Sequence, residues 1–441
     1  MRAFYTIAIC LVVAMPCRGK IIYLDEDGHV GFSNIQAAID DARDGDVVIL
    51  NPGTYIGPGN RDISYMGKAI TVRSVDPNEP NVVSRTTVDC NGSESYPHRG
   101  FLFHHGEDSR SVLSGLTIKG GYGEDGGCID CLSSSPTISK CVLMHNEGGY
   151  YGGAIHGHYD GLSKPVITEC IIIENKAVIG GGLAFCNGPI SQCVISNNQS
   201  GDGSGLMGCN GTITDCVISG NIARSSGGAL QHCDGQVVNC VVGGNIGCGF
   251  FACNGTIRNC TVVGNTVDGF FACWEGPITN CIIRQNSRSQ IQHYKMSAKY
   301  SNIEGGWPGE GNIDADPCFA QAGYWDPNGT ADDASDDFWV NGDYHLKSQA
   351  GRWDPELGDW VIDDVTSGGI DAGDPMTPIG VEAFPNGGIV NIGAYGGTSE
   401  ASKSYFDGPV CEIIVAGDIN GDCAVNFLDF VIMALHWLDE H

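Results

Sequence analysis

The twelve residues "DINGDCAVNFLD" (Asp418 to Asp429) place oxygen donors at positions 1, 3, 5, 9 and 12. A short loop that wraps Ca2+ uses this spacing, because a hard cation takes several oxygens from one tight turn. Asp418, Asn420, Asp422 and Asp429 would ligate through side chains, Ala424 through its carbonyl and Asn426 through water. Cys423 stands at the position where glycine normally makes the sharp turn. Directly after it, "FLDFVIMALHWL" sets Phe427, Phe430, Val431, Ala434, Leu435 and Leu438 on one apolar helical stripe.

A second chemical signal is charge. Between Arg258 and Lys299 stand five basic residues, Arg258, Arg284, Arg288, Lys295 and Lys299, against Asp268 and Glu275. That is a net +3 inside a chain of formal net charge −29. Phe251, Phe271, Trp274 and Tyr294 accompany it. Aromatic faces stack on sugar rings and arginine forks bind carboxylates, so Arg258, Arg284, Phe271, Trp274 and Tyr294 read as contacts to an acidic polysaccharide. Cleavage by elimination would need a base for the proton alpha to a uronate carboxyl group, and Lys295, Arg288 and His293 are the candidates. Phe251 and Phe271 also fit a plain packing ladder. "HGHYD" (His156 to Asp160), in the longest insertion of the repeat, is expected on an exposed loop; metal ligation or an acid/base pair is the lesser alternative there. "DPNGTADDASDD" (Asp326 to Asp337) reads as a solvated acidic loop, with Ca2+ binding as the alternative.

Composition sets the frame. The chain has 441 residues, 65 of them glycine, and only 17% are charged. Many turns and few helices follow, and the strong acidity excludes a nucleic-acid partner. After Arg2 comes the apolar run "AFYTIAICLVVAM", too short to span a bilayer and shaped as an export signal with cleavage after Gly19. The expected location is secreted or cell surface, with no membrane span.

The elements that position these residues come from a repeat. Cys141, Cys170, Cys193, Cys216, Cys240, Cys260 and Cys281 are each followed five residues later by asparagine, at steps of 29, 23, 23, 24, 20 and 21 residues. A second column, Cys186, Cys209, Cys233, Cys253 and Cys273, keeps step with it. Each unit holds short apolar segments separated by turns such as Asn-Gly, without helical periodicity. Units of this length cannot bury a face alone, so they stack as coils of a right-handed parallel β-helix, with equivalent residues in ladders. The ladder asparagines are expected at sharp left-handed bends. Stacked cysteines point the same way and do not converge as a disulfide requires, so an interior ladder of free thiols is expected. A few bridges would lie outside it, Cys128 to Cys131 or Cys411 to Cys423.

Three segments carry resemblances. "NIQAAIDDARDGDVVILNPGTY" (Asn34 to Tyr55) resembles the entry of the pectate-lyase-like β-helix superfamily, in which a short helix (here Ile35, Ala38, Ile39, Ala42) caps the open end. "GGAI" (Gly152 to Ile155), "GGAL" (Gly227 to Leu230) and the "[IV]xxN" segments resemble polymorphic outer membrane protein repeats. Asp418 to Leu438 resembles one repeat of a dockerin module, which implies Ca2+ and docking to a cohesin-like or cell-surface scaffold protein. The expected organisation is a signal peptide at 1–19, an all-β solenoid at 20–397, a linker at 398–409 and a Ca2+ module at 410–441. The solenoid becomes irregular from about 305, where "GDYHL", "GIDAGDP" and "VNIGAYGG" read as closing strands. The expected function is binding, with or without lyase cleavage, of an acidic polysaccharide. A non-catalytic adhesin or structural solenoid is the alternative, because one scaffold hosts lyases, hydrolases and adhesins.

Overall fold

The computed structural model describes residues 19–28, 31–225, 227–292, 295–330, 336–406, 425 and 427–435. Three sheets run along one axis, and their long ladders are parallel throughout. Sheet A has twelve strands, from Ile21–Leu24 to Ala298–Lys299; sheet B has eleven, from Gly53–Ile56 to Asn302–Ile303; sheet C has ten, from Ile63–Ser64 to Ser289–Ile291. Each coil feeds A, then B, then C, and the chain is a parallel β-helix.

Strands of two to four residues suffice because each needs to send only one or two side chains inward. Ile190, Ile195 and Leu206 fill one coil, and Ile213, Ile218 and Leu230 stack in register on them in the next. All six are fully buried. Each such burial stabilises the fold by about 1.5–3 kcal/mol. The open end is capped as expected: helix α1 (Ile35–Asp41) buries Ile35, Ala38 and Ile39, and the Asn34 side chain accepts from the Ala37 amide at 2.9 Å.

Each coil turns its corners at single residues with φ near +55°. In one coil these are Gln192, Asn197 and Gly208; in the next, Asp215, Gly220 and His232. The ladder residue follows the bend rather than occupying it, which corrects the expectation for the asparagines. Asn198, Asn221 and their equivalents turn their amides inward, where identity is fixed by the neighbours above and below. Asn221 Nδ2 donates to Asn245 Oδ1 at 3.0 Å and to the Ile195 carbonyl at 2.9 Å. Its Oδ1 accepts from the Asn198 amide and from Asn198 Nδ2, both at 3.0 Å. Gly121 N starts this chain of hydrogen bonds on Asn146, and Gln290 Oε1 ends it at Asn286.

Every cysteine among the described residues is a free thiol, and all but Cys318 are buried. Cys128 and Cys131 are not bridged, which corrects that alternative; Cys411 and Cys423 lie outside the described residues. The first cysteine column ends where Ser301 Oγ accepts from the Cys281 amide at 3.0 Å. Burial pushes the Cys248 thiol up to about 11 and Cys273 up to about 12, so neither is a nucleophilic thiolate at neutral pH.

Beyond one further short coil the chain stops winding. Three antiparallel pairs follow: Phe319–Gln321 with Asp343–Leu346, Tyr324–Asp326 with Phe338–Val340, and Arg352–Asp354 with Asp359–Val361. "GDYHL" is thus an antiparallel strand, and "GIDAGDP" and "VNIGAYGG" form none. This region folds back along the corner between sheets A and B. Asn239 Nδ2 donates to the Ala394 and Gly396 carbonyls, Asn259 Nδ2 donates to the Asn391 carbonyl, and Asn280 Oδ1 accepts from the Asp374 amide. Trp339 lies so close to Gly244 and Gly264 that a Cβ at either would overlap its ring. Helix α2 (Phe427–Leu435) stands where the apolar stripe predicted it, with Phe427 and Phe430 exposed. Residues 1–18 lie outside the description, as does 407–424.

Candidate functional site on the outer face of sheet C

Alternation decides which residues sheet C turns away from the core. Its inner column (Ile129, Ile155, Leu183, Leu206, Leu230, Phe250, Phe270) is fully buried. The next residue of each strand points out. In register these are Leu102, Asp130, His156, Ala184, Met207, Gln231, Phe251 and Phe271. Six coil steps of about 4.8 Å separate Asp130 from Phe271, a stripe of about 29 Å.

At the N-terminal end of the stripe, His156 Nδ1 lies 2.9 Å from Asp130 Oδ1, and His104 Nε2 lies 3.3 Å from Asp130 Oδ2. Burial alone would raise Asp130, but the hydrogen bonds from His104 and His156, with the Arg99 charge behind them, hold it down at about 2. His156 is only 2% exposed. Tyr151 stacks on its ring at 5.7 Å and 9°, Phe185 meets it edge-on at 6.2 Å, and His158 lies 5.7 Å away. His158 in turn stacks on Tyr159 at 4.6 Å and sets Nδ1 3.1 Å from Asp160 Oδ2. "HGHYD" therefore begins on a buried strand and only then becomes a turn, unlike the exposed loop expected. Beside it an open groove of about 690 Å3 is lined by Tyr159, Asp160, Lys164, Phe185, Met207, His232 and Asp234, among others.

At the C-terminal end, Phe251 and Phe271 stack at 5.1 Å and 22°. The Arg288 guanidinium lies 5.9 Å from the Phe271 ring centroid and 3.6 Å from Asp268 Oδ2. Trp274, 53% exposed, follows on the corner, where its amide donates to Asn254 Oδ1 at 2.9 Å. That contact ends an outer ladder of Asn187, Asn210, Asp234 and Asn254 side chains, each accepting from the next amide. The asparagines of the Asn-Gly bends build this ladder.

The other expected site residues do not gather here. Arg258 points out of sheet A, in register with Val238 and Thr279. Arg284 points out of sheet B and is taken up by Asp314 Oδ1 at 2.8 Å and Asn302 Oδ1 at 2.9 Å. Lys295 lies in an exposed turn after the last strand of sheet C. His293 and Tyr294 lie outside the described residues, as do Asp418, Asn420, Asp422, Ala424 and Asn426; Asp429 falls within α2. Among the described residues, no three His, Cys, Asp or Glu side chains converge to hold a metal ion. The Asp130 and His104 pairing was missed from sequence because its members sit 26 residues apart on adjacent coils.

No family model matches this chain, and no curated protein does. Among solved structures it is similar to the crystal structure of pectate lyase Pel9A, with a TM-score of 0.51 and 15% sequence identity, over 86% of this chain and 96% of that one. The likeness is one of fold. It places the parallel β-helix beside a solved one and leaves the chemistry to this chain's own residues.

Proposed function

We propose that the chain binds an extended acidic polysaccharide laid along the outer face of sheet C. The observation that carries this reading is the C-terminal end of the stripe, where Phe271 stacks on Phe251 and lies 5.9 Å from the Arg288 guanidinium. Ring faces take sugar faces, and a guanidinium takes a carboxylate. Lys295, in the turn that follows, adds positive charge at the same end, in a chain otherwise strongly acidic. The fold supports the reading too, since a solved protein of like fold is a pectate lyase. The chain would be exported through residues 1–19. The Asp418–Asp429 loop has the donor set for Ca2+, and the module around it would tether the solenoid to a cohesin-like or cell-surface scaffold.

A second reading, a non-catalytic adhesin or structural solenoid, draws support from the near-complete burial of His156. Calorimetric titration with polygalacturonate separates binding from its absence. Wild type is expected to bind, and Phe271→Ala to weaken affinity about tenfold, the loss of one stacking platform of about 1.5 kcal/mol. Equal affinity in Phe251→Ala, Phe271→Ala and Arg288→Gln would remove the sheet C reading.

A further inference from the structure

The Asp130–His156 pair has a feature that packing does not explain. His156 Nε2 is buried, and no hydrogen-bond partner reaches it. A buried, unpaired ring nitrogen costs about 1–3 kcal/mol and calls for a reason. Asp130 is ionised and can only accept, so His156 donates to it from Nδ1, and Nε2 is the ring nitrogen left without a partner. His104 holds the second Asp130 oxygen, which fixes the carboxylate and through it the imidazole. A carboxylate-oriented imidazole with a free Nε2 is the arrangement of a general base. The rings over it are not inert surroundings: Phe185 is also a wall of the 690 Å3 groove. Lys164 lines the same groove and has no ion pair among the described residues.

We propose that His156 is the proton-transfer residue of the sheet C site, positioned by Asp130 and His104, and that its substrate is a uronate unit of the polymer. The inference rests on the polysaccharide reading above. Lys164 meets the uronate carboxylate, and the turn that carries Tyr159 moves aside to admit the sugar. His156 Nε2 takes the proton from the carbon alpha to the carboxyl group. The C–H electron pair becomes the new C=C bond, the C–O bond to the leaving sugar breaks, and the imidazolium returns the proton to that oxygen. Atoms and electrons balance without a co-reactant. Asp130, Tyr151 and His158 meet the ring, His104 and Arg99 act on Asp130, and Asp160 pairs with His158.

The test uses full-length protein with polygalacturonate, alginate and glucuronan. Absorbance near 235 nm reports unsaturated ends, and calorimetry reports binding. Wild type is expected to release unsaturated ends from at least one polymer. His156→Ala is expected to keep affinity within about twofold, lose at least about 100-fold in kcat and regain activity with added imidazole, which a merely structural histidine would not do. Asp130→Asn is expected to lower kcat with little change in KM and to shift the acid limb of the pH profile. Full activity in His156→Ala, or binding by wild type without unsaturated ends, overturns the proposal and leaves the binding reading standing. No binding at all overturns the binding reading and the proposal with it. Should His156→Ala fail to fold, nitrogen-15 NMR of the wild-type ring decides: a proton on Nδ1 supports the proposal, and a proton on Nε2 overturns it.

Discussion

The corner between sheets A and B and the outer face of sheet C are built on the same coils, yet they differ in kind. Along the corner, the left-handed bend residues become Asn239, Asn259 and Asn280 where the C-terminal region covers them, and each hydrogen-bonds to that cover. One coil earlier the same position is Asp215, whose carboxyl is raised by burial and by the nearby Glu400 charge. Along sheet C the described residues of the C-terminal region lay no such cover, and the column changes chemistry from Asp130 and His156 to Phe251 and Phe271. The interior is indifferent to this contrast, because one cysteine column lies inside the covered corner, the other follows the strands of sheet C, and the asparagine ladder joins sheet B to sheet C between them. Regular ladders set the coil, and the outward positions are then free to differ.

The sharpest way to break both regions at once is to cut the shared ladder. Asn221→Ala removes two donated and two accepted hydrogen bonds and leaves buried amides unpaired, so stability should fall by about 3 kcal/mol in a denaturant titration. An effect confined to the sheet C surface would argue against the ladder as the common support. A smaller effect should touch the covered corner alone. Glu382 Oε1 accepts from the Asn391 and Gly397 amides, while burial, with Asp371 nearby, raises the carboxyl from 4.5 to about 7. A raised folded value means that the stability from this group is full below about pH 4.5 and is lost as pH rises through about 7. The loss is about 2 kcal/mol once residual solvent screening is allowed for. Melts of Glu382→Gln at about pH 4.5 and pH 8 should lack this loss; an unchanged pH dependence would show that Glu382 is not its source. The least perturbing check concerns the thiols. Denatured without reductant, the chain should titrate at least 17 free cysteines, and fewer than about five would contradict the ladders.

Much of the scaffold was legible because a solenoid writes its contacts as periodicity. Two cysteine columns and an asparagine column marked the stacking of the coils from Cys141 to Asn286, and Ile35, Ala38, Ile39 and Ala42 announced the capping helix. The charge cluster between Arg258 and Lys299 misled for the same reason. Neighbours in sequence alternate faces every residue and change sheet every few residues, so Arg258 lies on sheet A, Arg284 on sheet B and Arg288 just before the last strand of sheet C. His156, Asp130 and His104 come together only through coil stacking, and no local pattern marks such a group. The antiparallel region after residue 305 lacks a repeat, so nothing in its spacing revealed that it would fold back along the solenoid.

Hydroxyl-radical footprinting with and without polygalacturonate tests the central claim most directly, because it reads both regions in one sample. The account predicts protection of Phe251, Phe271, Trp274, Met207 and Tyr159 on sheet C, with Tyr324, Trp353 and Trp360 of the C-terminal region unchanged. Protection of the latter set with sheet C unprotected would contradict it.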